Sequence, residues 1–302
     1  MKKAPADFRT YVKAVGTGPK SNYDLDFESS VDMMRQILDQ RPHPEQIAAF
    51  LTGWRLKPET ETEFRGALAA CDAASNSDVF LPGSLELGYP FDGKAKNPYL
   101  LPLIAEALEG SGLDLVVTGD DPVPASGGVT LKQLFSALGV KTPLHYFDRK
   151  QHCPPMHELS GIRQRIGLRT GLNTIEKLPR FARSDYAITG VFHRPYVHKY
   201  VGIFGDRYKR FALIQGNEGT PELFGKGRLW IAEAGGITEY IIDPEVFGIR
   251  YEKSIEPIPL EASLEMTKNP DKGMRALARL NAAVYLFVAG RYESIEAAYE
   301  KV

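Results

Sequence analysis

Through its first 75 residues the chain repeats apolar positions every three to four residues, the spacing of one helix face. Phe27, Val31, Met34 and Leu38 form one such stripe, with Asp24 or Asp26 placed to cap it. Pro44 suits a first helical position and leads into Ile47, Phe50, Leu51 and Trp54. Thr60 and Glu63 make a capping box ahead of Phe64, Ala67, Leu68 and Cys71. This pattern predicts a small helical domain whose Met and aromatic positions are core.

After Ser75-Asn-Ser77 the pattern changes. Val79-Phe-Leu81 reads as a short buried strand and Leu113–Val117 as a stronger one. Tyr186–Val191, Phe211–Ile214, Leu229–Ala232 and Tyr240–Ile242 read as later strands. Helical patterns run from Pro98 to Leu108, from Thr130 to Leu138, from Tyr196 to Phe204 and from Met274 to Ala289. Ser294 caps a last short helix. From His152 to about Pro179 the chain reads as helical and basic, interrupted by Gly161, Gly167 and Gly171. Strand, loop and helix in alternation predict an α/β domain around a parallel sheet.

Two glycine-bearing loops stand out, Gly88-Tyr-Pro-Phe-Asp-Gly-Lys-Ala-Lys-Asn97 and Thr118-Gly-Asp-Asp-Pro-Val-Pro-Ala-Ser-Gly-Gly128. Each follows an apolar run and precedes a helix, the layout that turns backbone N–H groups and a helix N-terminus toward an anion. Lys94, Lys96 and Asn97, just before Pro98, are candidate anion contacts. Asp92 suits a metal, a ribose or a helix cap. Asp120 and Asp121 put carboxylates where an anion favours a cation; a plain turn before Pro122 is the alternative. His193, Arg194, His198 and Lys199 fall at a helix start and one turn in, a phosphate contact or a structural set. Neither loop spells G-x-G-x-x-G, which excludes a dinucleotide-binding dehydrogenase.

At 302 residues, 43% of them hydrophobic, the chain is long enough to bury a large core. No apolar run reaches about 18 residues, so no membrane span is expected. The start lacks the apolar stretch of a signal peptide. Cys71 and Cys153 form no C-x-x-C pair, which argues against zinc or a disulfide framework and for a reduced, cytoplasmic protein. Net charge is −1, but residues 149–210 hold 13 Lys and Arg against 4 acids. That segment is +9 and the remainder −10, an asymmetry that either attracts polyanions or forms a solvated face. Its nucleic-acid candidates are Arg165, Lys177, Arg180, Arg194, Lys199, Lys209 and Arg210, with the aromatic residues Phe181, Tyr186, Phe192, Tyr196, Tyr200 and Tyr208 between them available to stack bases unless they are buried.

Several motifs in order resemble the anthranilate phosphoribosyltransferase family over nearly the whole chain. Pro44–Thr60 looks like its opening helices. Arg163-Gln-Arg-Ile-Gly-Leu-Arg-Thr-Gly-Leu-Asn173 resembles its R-x-x-L-G-x-R-T-x-F-N segment. Gln215–Glu222 resembles its G-x-D-G-L-D-E metal segment, and Asp243–Ile249 its P-E-D-F-G-L turn. The resemblance implies a class IV phosphoribosyltransferase fold: a small all-α domain plus a larger α/β domain with a central mixed, largely parallel sheet. Residues 1–75 with about 152–185 would form the helical, dimerising domain, and residues 76–151 with 186–302 the α/β domain. A homodimer is implied, with an interdomain cleft for phosphoribosyl pyrophosphate and Mg²⁺ and no organic cofactor. Gly88, Asp92 and Gly93 match the family's G-T-G-G-D-G loop, Gly119 its K-H-G-N-R loop, and Ser126 and Gly127 its S-x-S-G phosphate contacts. Arg163 matches the arginine that meets the aromatic substrate, Arg169 lies in the same motif, and Glu222 retains half of the metal pair.

The departures are specific. Pro90 has no N–H to offer a phosphate. Tyr89 and Phe91 add bulk beside the diphosphate space, Asp120 and Asp121 replace neutral or basic positions, and Pro221 replaces a metal ligand. These changes move the expected anion site toward Lys94, Lys96 and the arginine-rich segment. Cys153-Pro-Pro-Met156, Arg163–Arg169 and Phe192-His-Arg-Pro-Tyr196 resemble a divergent second branch of the family with nucleic-acid-binding members. Two functions follow as expectations. One is binding of single-stranded nucleic acid or another phosphorylated ligand through a basic cleft, with little anthranilate activity. The other is a phosphoribosyltransferase using phosphoribosyl pyrophosphate and Mg²⁺ with an altered acceptor.

Overall fold

The computed structural model describes residues 6–76, 79–124, 127–234 and 236–302. Four helices open the chain: α1 (Phe8–Gly16), α2 (Phe27–Leu38), α3 (Pro44–Leu56) and α4 (Glu61–Ala74). Three begin where a side chain accepts an otherwise unpaired N–H. Asp7 takes that of Arg9, Asp26 that of Ser29, and Thr60 that of Glu63. Asp26 is therefore the α2 cap, and Asp24 pairs instead with Lys57. The stripes of α3 and α4 meet at Trp54, fully buried against Phe50 and Phe64. Its indole N–H donates to Glu63 at 3.1 Å. Cutting such a residue back to alanine costs about 3–5 kcal/mol.

The remainder alternates. β1 (Leu85–Gly88), α5 (Leu101–Ala107), β2 (Leu115–Gly119), α6 (Leu131–Leu138) and β3 (Leu144–Asp148) come first. Short helices α7 (Arg149–His152), α8 (Pro154–Glu158), α9 (Ser160–Ile166) and α10 (Leu172–Ile175) follow. Then come β4 (Tyr186–Gly190), α11 (Tyr196–Phe204), β5 (Arg210–Ile214), β6 (Gly227–Glu233) and β7 (Gly236–Ile242). The chain ends in α12 (Leu260–Lys268), α13 (Lys272–Val288) and α14 (Ile295–Tyr299). Val79–Leu81 is not a strand. The first strand is Leu85–Gly88, whose apolar run is broken by the buried Glu86. β3 and α12 were not anticipated by the pattern.

The seven strands form one sheet in the order β3-β2-β1-β4-β5-β6-β7. The first five in that order pair parallel, and β5-β6-β7 pair antiparallel, giving the mixed, largely parallel sheet. Side chains alternate across it. Ile188 and Ala212 join a core with α5, α6 and α13, while their neighbours Ala187 and Phe211 join a second core with α1 to α4 and α11. The helical N-terminal part thus covers one sheet face. β1 has β2 on one side and β4 on the other, which makes the β1–β4 junction the switch point, beyond whose carboxyl ends ligands lie in such sheets.

Candidate functional site

The two glycine loops are fastened to each other. Lys94 N–H donates to Val129 O at 2.9 Å and Val129 N–H to Lys94 O at 2.8 Å. Gly128 N–H donates to Asp92 O at 3.3 Å. A Cβ on Gly93, whose φ is +81°, would fall 2.4 Å from Gly128 O, and one on Gly128 2.4 Å from Lys94 C. Both positions need glycine because two backbones touch. Those N–H groups of Lys94, Gly128 and Val129 serve loop pairing and are not open to a phosphate. Gly88 and Gly119 are buried at the ends of β1 and β2, and Gly127 is exposed. Ser126 lies outside the described residues.

The cations and carboxylates assigned to ligands are redistributed. Lys94 is buried, and its Nζ lies 2.5 Å from Glu222 Oε2 and 2.9 Å from Pro98 O. Burial pulls the Lys94 ammonium below its ordinary pKa, with Glu222 opposing. The other Glu222 oxygen accepts from Tyr89 Oη at 3.0 Å and from the N–H groups of Leu100 and Leu101 at 2.9 Å. Glu222 therefore has no face for a metal and Lys94 none for an anion. The Mg²⁺ implied by resemblance finds no fit at this segment. Tyr89 and Phe91 point into the protein, Phe91 beneath the Arg149 guanidinium, so neither crowds a diphosphate. The N–H groups of Ala95 and Lys96 are also taken: Glu218 Oε1 accepts them at 2.8 and 3.1 Å. Asn97 holds residue 254 through Ser254 N–H at 3.0 Å.

Asp120 does not reverse the local charge. Arg149 pairs with it, and His157 Nδ1 lies 2.6 Å from its other oxygen. Arg149 also reaches Glu176, which accepts two bonds from Arg163 at 2.6 and 2.9 Å. Asp120, Arg149, Glu176 and Arg163 are all buried. Burial opposes charge on Glu176, but Arg163 and Arg149 outweigh it and hold the carboxyl below its usual range. Arg163 is thus closed off from any cleft ligand. Ligand atoms of Asp120, Asp121 and His157 lie within 4.8 Å of one another, but Arg149 and Lys132 already neutralise the two carboxylates.

What remains open is a cavity of about 550 Å³ at the switch point, a size suited to a small ligand. Gly93 and Pro90 line it from the first loop, Gly190 and Val191 from the end of β4, and Gly219 from the turn after β5. Arg169 and Asp92 face each other there as a salt bridge, the arginine side chain 57% exposed and the aspartate buried. Lys177 and Lys199 also line it. Lys199 Nζ donates to Glu59 O at 2.6 Å. Half-buried Lys177 makes no hydrogen bond or ion pair among the described residues, and its Nζ stands 3.9 Å from a Cβ built on Gly219. Burial pushes the Glu59 carboxyl upward in pKa.

The other basic candidates scatter. Arg165 is exposed on α9, away from the cavity lining. Arg180 lies over Tyr208, and Arg194 pairs with Glu239 at 3.2 Å. Lys209 and Arg210 stand at the start of β5, the end of the sheet opposite the cavity, where they pair with Asp185 and Glu233. The basic segment is not one surface. The pattern missed Arg55, Glu59, Thr170 and Glu218 as cavity residues. Glu59 hides as punctuation before the Thr60 cap, while Arg55, Thr170 and Glu218 lie inside the matched segments at positions to which the motifs gave no role.

Comparison with known proteins gives the family. Residues 9–75 match the helical bundle domain of the glycosyl transferase family and residues 133–302 its a/b domain. An uncharacterized protein of Aquifex aeolicus is 28% identical over 282 residues, covering 90% of each chain. The anthranilate phosphoribosyltransferase of Neisseria gonorrhoeae is 27% identical over 311 residues, covering 93% of this chain and 91% of that one. The Saccharomyces cerevisiae enzyme of that name, solved in complex with PRPP and Mg, superposes with a TM-score of 0.75 at 16% identity. That match covers 97% of this chain and 92% of the yeast one and establishes the shared fold. The chain belongs to the glycosyl transferase family built from a helical bundle domain and an a/b domain, and it is similar to anthranilate phosphoribosyltransferases along nearly its whole length.

Proposed function

We propose that the switch-point cavity binds a compact phosphorylated ligand, phosphoribosyl pyrophosphate being the first to test, and that the protein transfers from it to an acceptor other than anthranilate. The observation that carries this reading is Lys177, a half-buried lysine on the cavity lining without a partner among the described residues. Its Nζ is open to water there, and a phosphate can take the place of that water as a charge-assisted partner. Arg169 stands on the same lining and can exchange Asp92 for a phosphate. The yeast relative's complex with PRPP and Mg supports the same ligand class. The altered acceptor rests on Arg163. The arginine that the resemblance gives to the aromatic acid is here consumed by Glu176. Glu222 is occupied by Lys94 and offers Mg²⁺ no ligand. Dimerisation through the helical domain belongs to the same reading.

Calorimetry with phosphoribosyl pyrophosphate and Mg²⁺ tests it. Saturable heat in the micromolar range, together with no anthranilate turnover, is the expected result. Absence of heat and of any thermal shift at millimolar ligand would overturn it.

One observation favours a second reading, a single-stranded nucleic acid on the rim. Phe192 is 74% exposed and Tyr196 43%, beside His193 and Arg194. Exposed aromatic residues next to cations can stack bases. The cavity itself holds four cations, Arg55, Arg169, Lys177 and Lys199, against the three carboxylates Glu59, Asp92 and Glu218, a modest field for a polyanion. A fluorescence titration with an oligonucleotide decides: a log K against log[salt] slope near zero counts against this reading.

A further inference from the structure

A second cavity lies at the other end of the sheet. Its volume is about 520 Å³, and none of its lining residues lines the switch-point cavity. Arg210 bounds it at the start of β5 and Glu233 at the end of β6, and their pairing at 2.8 Å fixes both. Arg210 Nη1 also donates to Phe287 O at 3.1 Å, which ties the guanidinium to the last turn of α13. The facing wall is the turn that follows α13. Gly290, at φ +65°, lets the chain reverse there. The helix closes through Gly290 N–H on Phe287 O at 3.0 Å and Arg291 N–H on Leu286 O at 2.9 Å. That turn delivers Arg291, Tyr292 and Glu293 to the lining.

Charge on this lining is divided. Arg210 and Arg291 stand with Glu233 and Glu293, two of each sign. Half of the set is unanswered within the chain. Arg291 and Glu293 are exposed and make no side-chain hydrogen bond or ion pair among the described residues. Arg210 Nη2 and Glu233 Oε1 make none either. Ile231, Phe287 and Tyr240 supply apolar surface on the same lining, the last two rings meeting edge to face at 5.2 Å.

The mixture narrows the ligand class. An inorganic anion would meet two carboxylates here and a simple amine two guanidinium groups, so neither sign alone gains much. A ligand that carries both signs close together, with an apolar tail, gains from every group. We propose that this cavity binds a free α-amino acid with a large apolar side chain. Arg291 and Arg210 Nη2 take its carboxylate, Glu293 and Glu233 its ammonium, and Phe287 and Tyr240 its side chain. Arginine suits the first task because its planar fork can meet a carboxylate with two parallel bonds. The site stands whether or not the switch-point cavity takes a phosphoribosyl ligand.

Calorimetry on the full chain tests it, with L-leucine, L-methionine and L-phenylalanine as probes. Each is run beside the amine that lacks its carboxylate and the acid that lacks its ammonium. At least one amino acid is expected to bind with a Kd of about 1 mM or tighter. Its amine and acid analogues are expected to bind about tenfold or more weaker, the value of one charge-assisted bond. Arg291→Ala and Glu293→Gln alter exposed side chains and are expected to weaken the amino acid by about the same factor; melting curves verify that both fold. No saturable heat from any of the three up to about 10 mM, an analogue that binds as tightly as its amino acid, or an unchanged affinity in both variants would overturn the site.

Discussion

Lys94 Nζ and Glu222 Oε2 stand 2.5 Å apart with neither side chain exposed to solvent. Glu222 is completed by Tyr89 and two backbone N–H groups, and Lys94 by Pro98 O. A buried pair of this kind contributes little against a well-packed apolar replacement, but breaking it leaves a bare charge. Lys94→Met is therefore expected to lower the unfolding free energy by about 3–5 kcal/mol. Adding Glu222→Gln removes the bare carboxylate and should recover part of that loss. Urea unfolding reads both, and a double variant as unstable as the sum of the two singles would contradict the pairing.

Glu218 behaves as an internal anion. It holds the N–H groups of Ala95 and Lys96 and lines the cavity. Glu218→Ala removes one negative charge and frees two donors. Pyrophosphate is expected to bind about three- to tenfold more tightly, at an expense in stability of about 1–3 kcal/mol for the lost charge-assisted bonds. Calorimetry and thermal melting check the two effects, and weaker pyrophosphate binding would show that Glu218 orders the loop for the ligand instead.

Helix starts were legible because caps are local. Thr60 with Glu63, and Thr130 with Gln133, carry their own signal within four residues. The first strand was misplaced because a polar residue, Glu86, interrupts it while coil at Val79–Leu81 is apolar. The largest misreading concerned charge. Lys94 looked like a ligand contact because its partner Glu222 lies 128 positions away, and Arg163 because Glu176 lies 13 away, just past the end of a different helix. Local pattern records that a charge is present; only the fold determines whether another charge already answers it.

Glu86 gives a pH dependence with a definite sign. It is buried on β1, and burial raises its pKa from 4.5 to about 7 despite hydrogen bonds from Tyr208 Oη and Arg180 N–H. Between those values the folded state binds the proton and the unfolded state does not. Stability contributed by this group is therefore lost as pH rises from about 4.5 to about 7, by about 3 kcal/mol in all. His152, lowered by burial to about 4, has the opposite slope from pH 6.5 downward, so the total profile mixes the two. The difference between the wild type and Glu86→Gln isolates the first. Denaturant unfolding at pH 5 and pH 8 is expected to show the variant losing less on going up, and parallel losses would refute the assignment.

Arg163 and Arg169 come from one motif and are expected to fail differently. Arg163 is 1% exposed and bound to Glu176, one residue before Lys177 on the cavity lining. Arg163→Ala leaves Glu176 with Arg149 alone, in a network that also reaches Asp120. The expected loss is about 3–5 kcal/mol of stability, with ligand affinity falling only as far as Lys177 and Asn173 are displaced. Arg169 is 57% exposed, and its pairing with Asp92 is screened by water on one side. Arg169→Ala should cost about 1–3 kcal/mol of stability, because it takes the cation from the buried Asp92. It should weaken phosphoribosyl pyrophosphate binding about tenfold or more, the value of one charge-assisted hydrogen bond to a phosphate. Melting curves and calorimetry on the same two variants separate the roles. A stable Arg163→Ala that cannot bind ligand, or an Arg169→Ala that binds as the wild type does, would return the anion site to the buried arginine and undo the assignment of the cavity.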